Sequence, residues 1–403
     1  MRRSTIWIVY ILILFTLIAG CTPKTDQELG SQQPDSGEPQ SSGIGSSEPG
    51  TVQSESPSLG TATFRGDPRR SGALDADGPT KSVDVVWTFD TGENVYCSPC
   101  INNGIVYFGS VNGDFYAVDA HTGDVVWSLQ VGSAVRSSPA VADGVVYFGS
   151  HDGCVYAVDT GTREKKWVFT TGSCVESSPA VAGDTLYIGS CDHNLYAIDI
   201  SSGQELWRFE TGDFVLSSPA VYEGIVYVGS YDGCMYAIDA STGEELWHFQ
   251  TGDSVYSTPA VWEDTVVFGS LDGIVYSLNR QSGSLNWKFA TAGFLVWSSA
   301  AVQNGVVYIG AFDSNLYALD AEAGQVIWRY WTGERAIYSS PTLAGGIAYF
   351  GGRDGYVYAV DTDTGNLCWK FEAGGVVESS PAVYDGKVYF GCGDGVVYAL
   401  GER

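Results

Sequence analysis

Residues 217–247, SSPAVYEGIVYVGSYDGCMYAIDASTGEELW, hold four short β-prone runs separated by turn residues. Val221, Val226-Tyr227-Val228, Met235-Tyr236-Ala237-Ile238 and the run around Trp247 are too short and too rich in β-branched and aromatic residues for helices. They read as four antiparallel strands joined by tight turns. The same unit recurs along the chain, placing Pro99, Pro139, Pro179, Pro219, Pro259, Pro341 and Pro381 about 40 residues apart, with Ala300 at the missing place. Eight copies result.

The turns carry their own signals. Asn112-Gly113, Asp152-Gly153, Asp232-Gly233, Asp272-Gly273, Asp354-Gly355 and Asp394-Gly395 stand between second and third strands, where two positive-φ residues suit a tight hairpin; Asp192-His193 and Asp313-Ser314 depart from the pattern. Between third and fourth strands comes Asp-x-x-Thr-Gly, as in Asp119 to Gly123 and Asp239 to Gly243, with the Asp placed to accept turn amides. Proline cannot donate to a ladder, so the Ser-Pro-Ala-Val strand is expected at the inner edge, facing a central channel, and the Trp strand outermost. The last copy ends at Tyr398-Ala399-Leu400 without a Trp strand, while a lone Trp strand, Val85 to Phe89, precedes the first full copy. The two ends complete one blade between them. Trp87, Trp127, Trp167, Trp207, Trp247, Trp287, Trp328 and Trp369 then count eight blades of an all-β propeller, closed as a ring with no long free edge.

The first sixty residues are of another kind. Arg2 and Arg3 precede an apolar run from Ile6 to Ile18, too short for a membrane span, which breaks at small residues into Cys21. The tetrad Ile18-Ala19-Gly20-Cys21 resembles the lipobox of prokaryotic lipoproteins, implying removal of residues 1–20 and a lipid on the Cys21 thiol. Residues 21–59 are rich in Ser, Gly, Pro, Gln and Glu and cannot bury enough apolar surface to fold, so they read as a tether before a propeller at 60–403. Membrane attachment through lipid on Cys21 and an extracytoplasmic location follow.

The pattern Ala-x-Asp-x-x-x-Gly-x-x-x-Trp, as in Ala117 to Trp127, Ala197 to Trp207, Ala237 to Trp247, Ala318 to Trp328 and Ala359 to Trp369, resembles the tryptophan-docking repeat of propellers named for pyrroloquinoline quinone (PQQ). Phe64 to Gly72 resembles the lead-in before the first blade of that family. Arg163 replaces the Gly of the second copy, and Ser277 and Asn279 replace Ala and Asp in the fifth. The resemblance implies that each Trp packs between neighbouring blades. The family contains quinoprotein dehydrogenases, which need long loops with calcium ligands, a catalytic carboxylate and a disulfide of adjacent cysteines, and non-enzymatic lipoproteins such as BamB. This chain has almost no insertions and no Cys-Cys pair, so the resemblance points to the BamB-like branch and to no cofactor. A PQQ-dependent dehydrogenase and a polysaccharide-binding surface protein are the alternatives.

Within a ring of repeats, the positions that vary are free to be specific. Tyr96, Arg136, Glu176, Leu216, Tyr256, Trp297, Tyr338 and Glu378 stand at equivalent places before the inner strands. Val111, His151, Cys191, Tyr231, Leu271, Phe312, Arg353 and Gly393 stand at equivalent hairpin places on the same face. Tyr231, Tyr256, Trp297, Phe312 and Tyr338, with Arg335 and Arg353, gather on one sector of the channel mouth, the composition of a protein-contact hot spot. The competing reading is that these rings simply pack on their own blades. The opposite face, with turns such as Asp143-Gly144, Glu223-Gly224 and Asp385-Gly386, reads as a solvated acidic rim.

The net charge of −27, from 47 Asp and Glu against 20 Lys and Arg, argues against a nucleic-acid partner. No metalloprotease, phosphate-loop or EF-hand spacing occurs, and the many serines recur as scaffold, so no catalytic residue is assigned. Cys97, Cys100, Cys154, Cys174, Cys191, Cys234, Cys368 and Cys392 show no disulfide framework and read mostly as small buried hydrophobes. One bolder grouping sets His151, Cys154, Cys191 and His193, with Cys174 and Glu176, as soft ligands for zinc or copper at the mouth; strand alternation and the usual packing role of cysteine stand against it, and no metal site is assigned.

Overall fold

The computed structural model describes residues 63–403 apart from Phe294 and Glu334. Thirty-two strands, β1 to β32 in chain order, form eight four-stranded antiparallel sheets. In the first complete blade, β2 (Cys100–Asn102), β3 (Ile105–Gly109), β4 (Asp114–Asp119) and β5 (Val125–Gln130) lie in that order from the channel outward. The three-residue inner strands follow their prolines, or Ala300 in the sixth blade, and touch the inner strands of neighbouring blades. The ring closes as the split copy requires: β1 (Val83–Asp90) pairs with β32 (Val396–Glu402) from Val83 opposite Glu402 to Asp90 opposite Val396. The expected lipidation site, Cys21, the signal segment and the tether fall outside the described residues.

Packing between blades explains the repeated letters. Trp indole N–H groups donate to carbonyls of the next blade: Trp87 to Ala120, Trp207 to Ala240 and Trp287 to Ala321, at 2.8–3.0 Å. The Gly of Asp-x-x-Thr-Gly lies beneath that ring, and a Cβ on Gly243 would come within 2.7 Å of Trp207. At the seam the next blade has no continuous turn to offer, and Pro79, just before β1, supplies the carbonyl for Trp369 at 2.7 Å. The second Ser of Ser-Ser-Pro links neighbouring blades around the channel: Ser98 N donates to Ser138 Oγ, Ser138 N to Ser178 Oγ, and Ser380 N back to Ser98 Oγ, at 2.8–3.0 Å. These serines are scaffold.

The lead-in does more than precede the ring. It enters the channel and caps the exposed inner edges of four successive blades, with Val221 N, Val261 N, Val302 N and Leu343 N donating to the carbonyls of Pro68, Arg69, Ser71 and Gly72 at 2.7–2.9 Å. Arg70 is fully buried there. An unpaired strand edge facing a channel is costly, and this segment pairs it.

The turns correct one expectation. Between second and third strands only the second turn residue has positive φ, 88° at Gly113 and 82° at Gly153, with His193 at 73° and Ser314 at 68° in the two departing turns, and the Asn or Asp before it caps the following amide instead, Asp152 Oδ1 accepting from Cys154 N at 3.0 Å. These are type I turns closed by a left-handed residue. The paired positive-φ turns lie on the opposite face, at Asn103-Gly104, Asp143-Gly144, Glu223-Gly224, Asn304-Gly305 and Asp385-Gly386. The wide Asp-x-x-Thr-Gly turns are as expected, with Asp239 Oδ1 accepting from Ser241 N and Thr242 N, both at 2.9 Å.

Arg163 holds the Gly place of the second copy at φ 67°, where an L side chain costs about 1 kcal/mol. Arg163→Gly is therefore expected to stabilise the fold by about 1 kcal/mol, read from the urea midpoint; a variant less stable than the parent would show that the Arg side chain contributes more than the backbone loses.

Candidate functional site at the channel mouth

Two rows of variable residues meet at this mouth because one hydrogen bond repeats in all eight blades. The hairpin residue donates its N–H to the carbonyl two places before the ring residue: Val111 to Asn94, His151 to Ala134, Cys191 to Cys174, Tyr231 to Phe214, Leu271 to Ser254, Phe312 to Leu295, Arg353 to Ala336 and Gly393 to Val376, at 2.8–3.2 Å. The expected sharing of one face is observed. The acidic turns Asp143-Gly144, Glu223-Gly224 and Asp385-Gly386 are exposed.

On one sector the rings touch in series. Tyr231 meets Tyr256 edge-on at 6.3 Å between centroids, Tyr256 stacks on Trp297 at 5.1 Å, Trp297 meets Tyr338 at 4.6 Å, and Phe312 stacks on Tyr338 at 5.6 Å. The Arg353 guanidinium lies 4.6 Å over Tyr338 and donates to its hydroxyl at 2.9 Å. All five rings are half-buried, so they pack on each other across blades while keeping one edge open. Arg335 is exposed and makes none of these contacts. Phe214, which the sequence reading passed over, extends the arc at 6.2 Å from Tyr231 and carries His193 at 5.3 Å. It stands two places before the ring position, in a third variable row.

The other sector is charged. The Arg136 guanidinium lies 5.0 Å over Tyr96, with Nη1 3.8 Å from Glu176 Oε1. His151 Nε2 is 2.8 Å from the same oxygen. Burial pushes the Glu176 carboxyl up, but contact with His151 and the charges of His151 and Arg136 outweigh it and hold the group below the ordinary range. Glu378 is 3.1 Å from Arg353 Nε, and burial raises its carboxyl against the pull of Arg353 and Arg136. Two N–H donors at this mouth, Arg136 Nε and Trp297 Nε1, are buried without a hydrogen-bond partner among the described residues.

Two cysteine readings are corrected. Cys174 and Cys191 form a disulfide with Cα atoms 5.3 Å apart, within blade three. They occupy the two rows that the repeated hydrogen bond brings face to face, a placement legible in the repeat but invisible in linear spacing. Cys97, Cys100, Cys234 and Cys392 are buried thiols as expected, Cys154 is half-buried and Cys368 is exposed. The soft-ligand grouping does not assemble: the disulfide consumes two of its thiols, His151 faces Glu176, His193 faces Asp213 at 3.9 Å, and Cys154 faces Thr170 at 3.8 Å. Among the described residues no group of three or more His, Cys, Asp or Glu could hold a metal ion.

A family model described as "Beta-alanine-activating enzyme, beta-propeller" matches residues 142–347, just over half of the chain, and one described as "Outer membrane protein assembly factor BamB" matches residues 73–208. The chain belongs to the β-propeller family that the first of these models describes, and its residues 73–208 match the second. BamB from Moraxella catarrhalis is similar in structure with a TM-score of 0.69 at 18% identity, covering 79% of this chain and 100% of its own. A computationally designed protein gives 0.70 at 22% identity over 77% and 96%, and a europium-containing methanol dehydrogenase 0.71 at 14% over 84% and 98%. At these identities the likeness shows the fold alone. No curated protein matches the sequence.

The donor set of the mouth does not fit a metal-bound quinone. Glu176 and Glu378 are each engaged by an Arg, and the disulfide joins residues 17 apart rather than neighbours.

Proposed function

We propose that this PQQ-like propeller is a non-enzymatic, extracytoplasmic scaffold, anchored by lipid on Cys21 through the 21–59 tether, that binds a protein partner at the aromatic side of its channel mouth. It acts as a monomeric ring, with no nucleic acid and no cofactor. The observation that carries this is the continuous arc Tyr231, Tyr256, Trp297, Tyr338 and Phe312 with Arg353 seated on it. Rigid, preorganised rings beside an Arg offer contact area at little entropic cost. The family model named for an outer membrane assembly factor supports the same reading.

A photo-cross-linker placed at exposed Arg335 in cells of the source organism is expected to trap a discrete protein, and one at Asp143 on the opposite rim is not. The double variant Trp297→Ala, Tyr338→Ala should lower the trapped yield at least tenfold, the loss of about 1.4 kcal/mol or more expected of a hot spot, while the chain still melts cooperatively. An undiminished adduct overturns the assignment of this face.

A further inference from the structure

The outer wall of the ring is made of eight edge strands, whose outward faces differ where their packed faces repeat. Each lies last in its sheet and so turns a row of unpaired backbone N–H and C=O groups to solvent, a liability that edge charges normally blunt. β25 (Val326–Trp331), the outer strand of blade six, is blunted least. Trp331 is 63% exposed, Ile327 52% and Val326 45%, and no other described strand carries more than two exposed large hydrophobics. At the place of Trp331 the other blades have small or polar residues: Asp90, Gln130, Thr170, Glu210, Gln250, Ala290 and Glu372.

Charge singles out the same strand. Arg329 stands between Ile327 and Trp331 on the outward face, where successive side chains of a strand lie about 6.8 Å apart. Arg208 and His248 hold its place in blades three and four, and each is paired on its own strand, with Glu205 at 2.8 Å and Glu245 at 2.7 Å. In β25 the position of that acid is Val326, and Arg329 makes no ion pair among the described residues. Across the strand pair it faces the Tyr317 hydroxyl, which is already donated to Asp313 at 2.6 Å. Lys288 and Lys370 hold the place in the flanking blades, both exposed and neither in an ion pair among the described residues.

We infer that this edge receives an extended segment of a partner protein as a fifth strand of blade six, with a carboxylate on Arg329 and apolar side chains against Ile327 and Trp331. Main-chain bonds to the free edge supply affinity, and the apolar–acid–apolar alternation supplies specificity. A second copy of this chain would bring the same cation and a like net charge of −27. An anionic membrane would meet that same net charge and would leave the backbone edge unpaired. The contact goes beyond the mouth arc and does not depend on it, although the Trp331 end of the strand lies on the mouth side, where Thr332 N donates to Ser314 O at 2.9 Å.

The full chain in detergent at low salt is mixed with acetyl-Thr-Val-Thr-Glu-Thr-Val-Thr-amide, which sets Val, Glu and Val on one face, or with its Gln isostere. The Glu peptide should slow amide exchange over residues 326–331 and bind about threefold or more tighter than the Gln peptide, the size of an exposed ion pair. Arg329→Gln should remove that preference. Trp331→Gln, which installs the residue that blades one and four carry there, should weaken both peptides about tenfold and leave the fold intact. Arg208→Gln in blade three should change neither. Unslowed exchange with both peptides at millimolar concentration, a Glu preference that survives Arg329→Gln, or an affinity that survives Trp331→Gln overturns the inference. If vesicles of phosphatidylcholine and phosphatidylglycerol slow exchange over residues 326–331 and neither peptide does, the face belongs to a lipid surface and the fifth strand falls. Trp297→Ala, Tyr338→Ala should leave peptide binding unchanged, so the edge and the mouth stand or fall separately.

Discussion

Arg70→Ala is expected to cost about 3–5 kcal/mol of folding free energy, as for removing one partner from a buried charged network. The side chain is wholly buried in the channel, where Nε donates to Pro219 O at 3.0 Å, Nη2 to Ser178 O at 3.1 Å and Pro179 O at 2.8 Å, and Nη1 to Thr63 Oγ1 at 2.9 Å and Phe64 O at 2.5 Å. Burial pulls the guanidinium down to about 9, opposed by Asp67, so near neutral pH it stays charged and its desolvation is offset by these five bonds. Alanine would strand the carbonyls of two neighbouring blades and loosen the segment that pairs four inner edges. Arg70→Met separates the contributions: if Met, which fills most of the volume, recovers the loss in urea unfolding, packing rather than hydrogen bonding holds the plug. A loss below about 1 kcal/mol for Ala would show that the lead-in is dispensable to the ring.

The ring was legible because its determinants are letters that recur: proline at the inner edge, Trp at the outer edge, and a copy split between the chain ends. What escaped was carried by the backbone or by register. The seat of Phe64 to Gly72 depends on main-chain N–H groups of Val221, Val261, Val302 and Leu343, which no side-chain pattern announces. Asp-Gly at the second hairpin looked like a paired positive-φ turn, yet the Asp is there for its carboxylate: Asp152 also accepts from Tyr156 Oη at 2.6 Å and from Gly132 N at 2.9 Å, joining successive blades. Two letters in one turn therefore served two different purposes. The disulfide is hidden for the converse reason: Cys174 and Cys191 are 17 residues apart with no framework in linear spacing, and only the register of the two rows brings them face to face. In the mouth, repeat register placed Tyr256, Trp297 and Tyr338 side by side, but not the rotamers that turn Arg136 toward Tyr96 and Glu176.

Trp369→Ala should also lose about 3–5 kcal/mol, the range for removing a large buried aromatic, and its effect should differ in place from that of Trp247→Ala. Trp247 is 8% exposed, donates to Arg280 O at 3.0 Å and sits on Gly283 of a continuous neighbouring blade. Trp369, 5% exposed, donates instead to Pro79 O, which Tyr349 Oη also engages at 3.1 Å, so two side chains of blade seven hold the chain immediately before β1. That junction is the only place where ring closure depends on pairing between the two ends of the described chain. Removing Trp369 should therefore raise amide exchange in Val83–Asp90 and Val396–Glu402 well below the global transition, whereas Trp247→Ala should leave those strands protected until the whole ring unfolds. Equal exchange at the seam in both variants would mean that the paired ends hold by their own ladder, and that Trp docking contributes the same at every interface.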